Sequence, residues 1–249
     1  MSRVKLSFQQ KQELITNGFV KIPGVVPKVM VKEARKAINH SIGKGIPADH
    51  KGANYCDELM GERVITDLFN HTPAKAICDS LIGHYHPVGG GQIALRFPTY
   101  FEGDPPKDLG AHLDGMLQLH EGIVHNFTAL VGVLLSDQPE PYAGNFTVYP
   151  GTHRLYESYF REKGPDVILE EEAFKYARSP NVPLPDPVQI IGEAGDLVIA
   201  HYQTIHAGGL NISDSIRYSI YFRVDHVDRH KDWRAPLTNM WLHWPGLQS

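Results

Sequence analysis

The chain has 249 residues, of which 42% are hydrophobic and 21% are charged. This composition supports a substantial folded core and excludes bulk disorder. The net charge of −4 argues against a general nucleic-acid binder, which would usually be basic. We expect no membrane span and no secretory leader, because no apolar run is long enough for either. With only two cysteines, which carry no functional signal, a cytoplasmic location is expected.

The first third of the sequence predicts helices separated by short breaks. Ser7 and Gln10 fit a capping box for a helix that runs to about Thr16. Pro27 suits the first position of a second helix. The other elements predicted here are a strand at 18–22, a helix around 64–69 and a helix that starts at Thr72-Pro73 and has Gly83 as its C-cap.

After Gly89 the pattern changes to short β-rich runs separated by glycine and proline. Short strands with few helices favour a sandwich or barrel. Residues 154–187 resemble an insertion, with a helix from Glu170 to Arg178 and a stiff proline-rich loop. We predict a single domain, 1–249, with a helical flank at 1–88 and a β core at 89–230. The clearest predicted strands are 92–97, 127–135, 146–149, 196–201 and 217–224.

Charge is unevenly distributed along the chain. Residues 1–51 contain ten Lys or Arg and three acids, a balance of +7, whereas the remainder has a balance of −11. This basic segment is either a solvated helix face or a docking surface for an anionic, carrier-linked part of a substrate.

The fourteen histidines include three His-x-Asp triplets, which start at His112, His226 and His230. Residues i and i+2 of a strand point to the same face, so such a triplet presents a nitrogen and an oxygen to one point. A second histidine from a distant strand completes a 2-His-1-carboxylate triad. That ligand set suits Fe(II) and leaves positions open for a chelating co-substrate and O₂.

Only the first triplet has suitable partners downstream. A predicted strand leads to His206, and Arg217 follows on a returning strand, where its guanidinium can grip a carboxylate bound to the metal. His201 competes with His206, but the odd spacing predicts that the two face opposite ways. Two alternatives stay open: a structural pair of His112 with Asp114, and a salt bridge from Arg217 to Asp214 or Asp225. His226 and His230 lie close to the C-terminus and are predicted to be surface residues.

An ordered set of motifs over nearly the whole chain resembles the phytanoyl-CoA dioxygenase family of Fe(II)- and 2-oxoglutarate-dependent oxygenases. The motifs are Asn17-Gly-Phe-Val-Lys-Ile, His112-Leu-Asp114, Gly144-Asn-Phe-Thr-Val-Tyr-Pro-Gly-Thr-His153, Gly195-Asp-Leu-Val, and His206 followed by Asn211-Ile-Ser213 and Arg217.

The resemblance implies a double-stranded β-helix (jelly-roll) core with His112, Asp114 and His206 as catalytic iron ligands. It implies that Arg217 binds the distal carboxylate of 2-oxoglutarate, with Arg96 as a second candidate. The expected reaction uses O₂ to hydroxylate an unactivated C–H bond of a small organic molecule, while 2-oxoglutarate becomes succinate and CO₂. Asp114 argues against halogenation, since the related halogenases lack this carboxylate.

Gly132 departs from the family pattern. Some members carry a tryptophan at this place in the co-substrate pocket, so a glycine is expected to alter the pocket and to enlarge it. The segment Pro150-Gly-Thr-His153 predicts a tight turn, after which Thr152 can act as a cap. Five residues flanking the triplet are predicted either to line the pocket or to join the core: Tyr100, Phe101, Met116, Leu117 and Gln118.

Two other functions remain open at this point. One is a metal-binding jelly roll that acts as a sensor or binding module without turnover. The other is a cupin-like isomerase or a dioxygenase without co-substrate, which would leave Arg217 unexplained. The sequence identifies neither the substrate nor the oligomeric state.

Overall fold

The computed structural model describes residues 4–50, 52, 54–103, 110–114, 119–120, 123–170 and 182–248. The predicted helix at 170–178 and the residues Met116, Leu117 and Gln118 lie largely or wholly outside these ranges. None of the described helices is both long and apolar enough to span a bilayer. The predicted division into one domain with a flank stays a prediction.

Four helices and a strand occupy the N-terminal part of the chain. Helix α1 (Phe8–Asn17) begins with the predicted capping box, in which Ser7 and Gln10 each accept the other's backbone N–H through a side-chain oxygen. The elements that follow are β1 (Phe19–Ile22), α2 (Lys28–Ile42), α3 (Arg63–Asn70) and α4 (Pro73–Leu81).

Two predicted helix boundaries were wrong by one residue. Pro27 is the N-cap of α2 and not its first helical residue, because its ψ of 134° is not helical. Ile82 is the C-cap of α4, and Gly83 follows it with a φ of +78°. That left-handed conformation is the one in which glycine commonly ends a helix.

Five of the six predicted strands build one large antiparallel sheet, which contains β1 together with β2 (Gln92–Arg96), β5 (Ala129–Leu134), β8 (Leu197–His201) and β10 (Arg217–Val224). Its order is β1-β8-β5-β10-β2, so the central strand β5 lies between β8 and β10. The remaining described strands are β3 (Leu119–His120), β4 (Ile123–Val124), β6 (Phe146–Val148), β7 (Val188–Gln189) and β9 (His206–Gly208), of which β6 is the sixth predicted strand.

Alternation along the strands gives the large sheet two buried faces. On one face, Val131, Ile220 and Phe222 pack with the helices α1 to α4. On the other, Leu130 and Leu134 pack against Phe146 of a second sheet, of order β7-β6-β9. Side chains of one strand alternate between faces, so a single strand supplies both cores. Two antiparallel sheets that share a core form the predicted double-stranded β-helix.

The segment after β6 contains a helix that the sequence analysis missed. The predicted turn is present at Pro150 and Gly151, but α5 (Thr152–Lys163) starts immediately afterwards. Thr152 does not cap this helix; its hydroxyl donates to the Tyr149 carbonyl and accepts from the N–H of Ile205. Two short α-helices follow, α6 (Val167–Glu170) and α7 (Ala235–Thr238), and 3-10 helices are described at Asp57–Leu59, Arg229–Lys231 and Pro245–Leu247.

Candidate active site

The two histidines of the predicted triad lie directly opposite each other. His112 and His206 form an isolated antiparallel bridge in which each backbone N–H donates to the carbonyl of the other, at 2.9 and 3.1 Å. Residues paired in this way project their side chains to the same face. The ring centroids are consequently 4.7 Å apart, although the residues are 94 positions apart in sequence.

The backbone also fixes the tautomer of both rings. Nδ1 of His112 lies 3.0 Å from the carbonyl oxygen of Gly110, and Nδ1 of His206 lies 3.0 Å from that of Thr204. A carbonyl only accepts, so each Nδ1 carries a hydrogen and donates it. Each neutral ring therefore keeps the lone pair of Nε2 available for a metal ion.

Asp114 completes the group from two positions beyond His112. Its carboxylate oxygens lie 3.4 Å from Nε2 of His112 and 3.9 Å from Nε2 of His206. One ligand atom from each of the three residues lies within 4.8 Å of the others. The three donors thus converge as the i, i+2 spacing predicted, and they match a 2-His-1-carboxylate set in number and type.

The environment favours the charge states that metal binding needs at His206 and Asp114, whereas the raised pKa of His112 favours a protonated ring whose proton a metal ion has to displace. Burial lowers the pKa of His206 to about 4, so this ring is neutral at pH 7. Burial alone would raise the pKa of Asp114, but the hydrogen bond with His112 and the positive charges nearby hold it well below its ordinary value. The carboxylate is therefore ionised. For His112, burial is outweighed by hydrogen bonds to Asp114 and Gly110, and the pKa is raised.

Arg217 lies on the cavity face of β10 and is 3% exposed. Its Nε donates to the carbonyl of Gly144 at 2.6 Å, and one Nη donates to that of Ala94 at 3.0 Å. Burial lowers its pKa. Neither Asp214 nor Asp225 pairs with Arg217: within the described residues, Asp225 bonds to His230 and Asp214 to Ser215. The salt-bridge alternative was wrong.

Arg96 is the direct cross-strand neighbour of Arg217 in the β2–β10 pair. Both line the same cavity, and no described carboxylate forms an ion pair with either guanidinium. Two like charges opposite each other on adjacent strands are destabilising unless an anion is shared. Arg96 also packs over Gly208, where a Cβ would lie 2.8 Å from its Nε.

The expected enlargement of the pocket at Gly132 is not observed, because Tyr221 fills the space. Tyr221 is the cross-strand partner of Gly132, and a Cβ on the glycine would lie 2.9 Å from the tyrosine ring. The ring also contacts Phe146, with centroids 5.3 Å apart. An aromatic side chain from β10 thus occupies the volume that the family tryptophan was expected to fill from β5.

Arg223 is a site residue that the sequence analysis missed. One of its Nη atoms donates to Oδ2 of Asp114 at 2.6 Å and to Oε1 of Gln92 at 3.0 Å. The signal present in the sequence is the two-residue period of β10, which places Arg217, Tyr221 and Arg223 on one face.

The three other histidines that the sequence analysis considered, His201, His226 and His230, lie outside the triad. His201 is buried, with Nε2 2.9 Å from the carbonyl of Met240 and Nδ1 accepting the N–H of Gln203, so it is separate from the triad as predicted. His226 and His230 were predicted at the surface, but both are half-buried. His226 stacks on His243 at 4.4 Å, and His230 bonds to Asp225 at 2.6 Å.

Two further expectations concern surfaces. Tyr100 is 88% exposed and Phe101 is 39% exposed, so neither belongs to the core. The basic side chains of α2 border a groove with Ala194, while Ile38 of the same helix packs in the helical core. That core covers the face of the large sheet opposite to Arg217, and none of the residues that line the basic groove lines the triad cavity.

Comparison with known proteins supports the family resemblance. Residues 111–219 match the model of the phytanoyl-CoA dioxygenase family, and this region contains His112, Asp114, His206 and Arg217. No curated protein matches by sequence.

Solved structures share the fold at low sequence identity. The non-heme alpha ketoglutarate dependent epimerase SnoN from nogalamycin biosynthesis is 22% identical, with a TM-score of 0.59 over 88% of this chain and 81% of SnoN. The carbocyclase SnoK from the same biosynthesis gives 20% and 0.57 over 91% and 89%. HygX from Streptomyces hygroscopicus, crystallised with nickel and 2-oxoglutarate, gives 17% and 0.58 over 90% and 88%. The predicted resemblance is confirmed over residues 111–219, which are similar to the phytanoyl-CoA dioxygenase family, and the solved structures share the fold over most of the chain.

Proposed function

We propose that this protein is an Fe(II)- and 2-oxoglutarate-dependent dioxygenase that hydroxylates an unactivated C–H bond of a small molecule. The observation that carries the proposal is the pairing of two features in one cavity. A convergent His112, Asp114 and His206 group lies at one part of it, and two arginines that pair with none of the described carboxylates lie at another.

The donor set fits iron. Two imidazole nitrogens and one carboxylate oxygen suit Fe(II) and leave coordination positions open. When bound, the iron supplies the oxidative chemistry that couples O₂ and 2-oxoglutarate to substrate oxidation. The chain contributes two imidazole rings whose Nδ1 atoms are held by backbone carbonyls, which leaves each Nε2 for the metal, together with an ionised Asp114.

The arginine pair fits the distal carboxylate of 2-oxoglutarate. The Nε and one Nη of Arg217 donate hydrogen bonds to backbone carbonyl groups, and these two bonds fix the plane of the guanidinium against the sheet. A buried guanidinium beside a second one gains most from a doubly hydrogen-bonded anion. We therefore propose Arg217 as the principal anchor of the co-substrate and Arg96 as its partner.

Apolar side chains are proposed to keep water from the reacting atoms. Leu130 and Phe146 line the same cavity as the triad and the arginines, and the Phe146 ring centroid is 5.2 Å from that of His206. Low polarity around the site strengthens each electrostatic contact inside it.

The first test uses Asp114→Ala and the exposed Asp49→Ala as a matched control. Anaerobic Fe(II) with 2-oxoglutarate is expected to give a weak visible charge-transfer band in wild type and in Asp49→Ala. Asp114→Ala is expected to lose the band and succinate production. Retention of both by Asp114→Ala would contradict the proposal.

A second test separates co-substrate binding from metal binding. Arg217→Met is expected to weaken 2-oxoglutarate binding at least tenfold, about 1.4 kcal/mol, while Mn(II) affinity changes little. Titration calorimetry with each ligand measures this. Full activity of Arg217→Met would favour the cupin-like alternative, in which no anchor is needed.

The reaction outcome needs a separate measurement, since related folds include an epimerase and a carbocyclase. A succinate-release screen of a metabolite library identifies substrates. Hydroxylation under ¹⁸O₂ then adds one labelled oxygen to the product, whereas epimerisation and ring closure add none. An Fe(II)/2-oxoglutarate dioxygenase also forms some succinate without substrate, by uncoupled turnover. If the protein binds metal and forms no succinate under any condition, the binding module is the better description.

The substrate class is proposed as a small molecule, including anionic or carrier-linked ones. Docking of a carrier on the basic face of α2 can be tested separately from the triad cavity, because α2 packs on the face of the large sheet opposite to Arg217. Charge reversal at Lys32, Arg35 and Lys36 that leaves substrate affinity unchanged would remove docking by that face.

A further inference from the structure

We infer that Arg223 is a positioning residue that holds the carboxylate of Asp114 in the orientation needed for metal binding. The inference rests on the proposed function, because it assigns Asp114 to a metal ion. It concerns a residue outside the triad and outside the arginine pair.

The contact is short and specific. An Nη atom of Arg223 donates to Oδ2 of Asp114 at 2.6 Å, while the other oxygen, Oδ1, lies 3.4 Å from Nε2 of His112. The guanidinium thus binds one oxygen and leaves the other directed at the histidine ligand. A carboxylate held in this way is prepared to bind a metal through one oxygen only, with the second oxygen already satisfied.

The guanidinium is itself fixed from two other sides. The same Nη donates to Oε1 of Gln92 at 3.0 Å, and Cζ lies 5.5 Å from the centre of the Phe127 ring. The amide acceptor and the ring face restrict where the charge can sit. Asp114 follows a single bridge residue and lies outside any described strand, so its own backbone holds it less firmly than β10 holds Arg223.

An ion pair made only for stability is a weaker account of this contact. The Asp114 side chain is 18% exposed and that of Arg223 is 41% exposed, so solvent screens the pair and its contribution to folding is small. The geometry of Asp114 is nevertheless controlled by it. The consequence of losing Arg223 should therefore appear in metal binding more than in stability.

The test compares Arg223→Met, which keeps an apolar stem over Phe127, with Arg223→Lys, which keeps the charge. The exposed Arg63→Gln is the matched control. Mn(II) affinity is expected to fall about tenfold or more in Arg223→Met and to recover partly in Arg223→Lys. Thermal denaturation of the metal-free proteins is expected to change little.

A spectroscopic readout gives a second sign. A carboxylate that accepts a hydrogen bond from arginine donates less charge to a metal, so its release makes the metal more electron-rich. The charge-transfer band of the anaerobic Fe(II) complex with 2-oxoglutarate is therefore expected at longer wavelength in Arg223→Met. Arg223→Lys is expected to return the band towards the wild-type position.

Several outcomes would overturn the inference. If Arg223 only repels the metal ion through its charge, the Mn(II) affinity of Arg223→Met is higher than that of wild type. If the contact with Asp114 has no role, the Mn(II) affinity does not change. If Arg223→Met does not fold, Gln92→Leu removes one of its two acceptors, and an unaltered Mn(II) affinity there also counts against the inference. If wild type itself binds no metal, the proposed function fails as well, whereas normal binding with an unaltered variant overturns the role of Arg223 alone.

Discussion

At the scale of single residues, Gly132 and Tyr221 show how a cavity is shaped by two strands together. The glycine leaves a gap on β5, and the tyrosine of β10 fills it. The glycine can be recognised in the sequence, because some members of the resembled family have a tryptophan at this position. The residue that replaces the missing volume is 89 positions away, and only the strand register connects the two.

Gly132→Val is expected to weaken 2-oxoglutarate binding about tenfold, because the new side chain displaces the Tyr221 ring into the cavity. Tyr221→Ala in the same chain removes the obstacle, and the double variant is expected to recover part of the loss. A double-mutant cycle on the dissociation constant measures this coupling. Strictly additive effects would show that the two residues do not share the space.

The triad and Arg217 were predictable from the sequence for a physical reason. A His-x-Asp spacing on extended backbone fixes a common face, and the strand pattern around Arg217 fixes another. Arg223 carries no comparable signal, since an arginine at the end of an alternating strand is usually a solvent-facing residue. Its role depends on Asp114, which is 109 positions away and lies in a different segment.

At the scale of elements, the connection between β9 and β10 positions both arginines. The Asn211 side chain donates to the carbonyls of Arg96 and Ser215 at 2.8 Å each, and its Oδ1 accepts from Ser213. Asn211 is 2% exposed. One buried amide thus ties the end of β2 to the start of β10.

Asn211→Ala is expected to lower the free energy of unfolding by about 1–3 kcal/mol, because it leaves buried carbonyl groups without their donors. It is also expected to weaken 2-oxoglutarate binding, since Arg96 and Arg217 lose their common brace. Ser213→Ala is the control, because it removes only the hydroxyl of the same turn. Urea denaturation and co-substrate titration measure the two effects, and equal behaviour of both variants would refute the bracing role.

Helix α5 was not predicted, although its buried residues follow a helical period in the sequence. Thr152, Tyr156 and Phe160 are buried at i, i+4 and i+8, which is one face of a helix. The turn residues Pro150 and Gly151 and the charged residues that follow favoured a loop or an insertion. Tertiary contacts decide the matter, because Tyr156 and Phe160 join the core between the two sheets.

At the scale of the whole molecule, buried histidines outside the site link several segments. His201 contacts Trp241 and Trp244 near the C-terminus, and His153 bonds to the Ile15 carbonyl at the end of α1. Burial lowers the pKa of His201 and lowers that of His153 to about 4. Both rings are therefore neutral in the folded protein at pH 7.

This arrangement predicts destabilisation by mild acid. An unfolded histidine takes up a proton near pH 6.5, while the folded His153 resists it down to about pH 4. The stabilisation is therefore complete above pH 6.5 and is lost as the pH falls towards 4, at about 1.4 kcal/mol per pH unit. Between pH 7 and pH 5, the free energy of unfolding is expected to fall by about 2 kcal/mol less in His153→Gln than in wild type.

Urea denaturation at the two pH values measures that difference. His71→Gln, at an exposed position with 61% of its side chain accessible, is the control and is expected to behave like wild type. An identical pH dependence in His153→Gln would show that this ring does not contribute to the acid sensitivity.

The strand order β1-β8-β5-β10-β2 has a consequence for how the chain folds. The edge strand β1 pairs with β8 through Phe19 and Ala200, and the edge strand β2 pairs with β10 through Arg96 and Arg217. Neither edge strand therefore has a partner until most of the chain has been synthesised. Such long-range pairs slow folding, because loop closure precedes any gain from contacts. The end of the cavity that contains Arg96 and Arg217 is thus among the last parts to form on the ribosome, and β2 stays an unpaired edge, exposed to aggregation, until β10 has been synthesised.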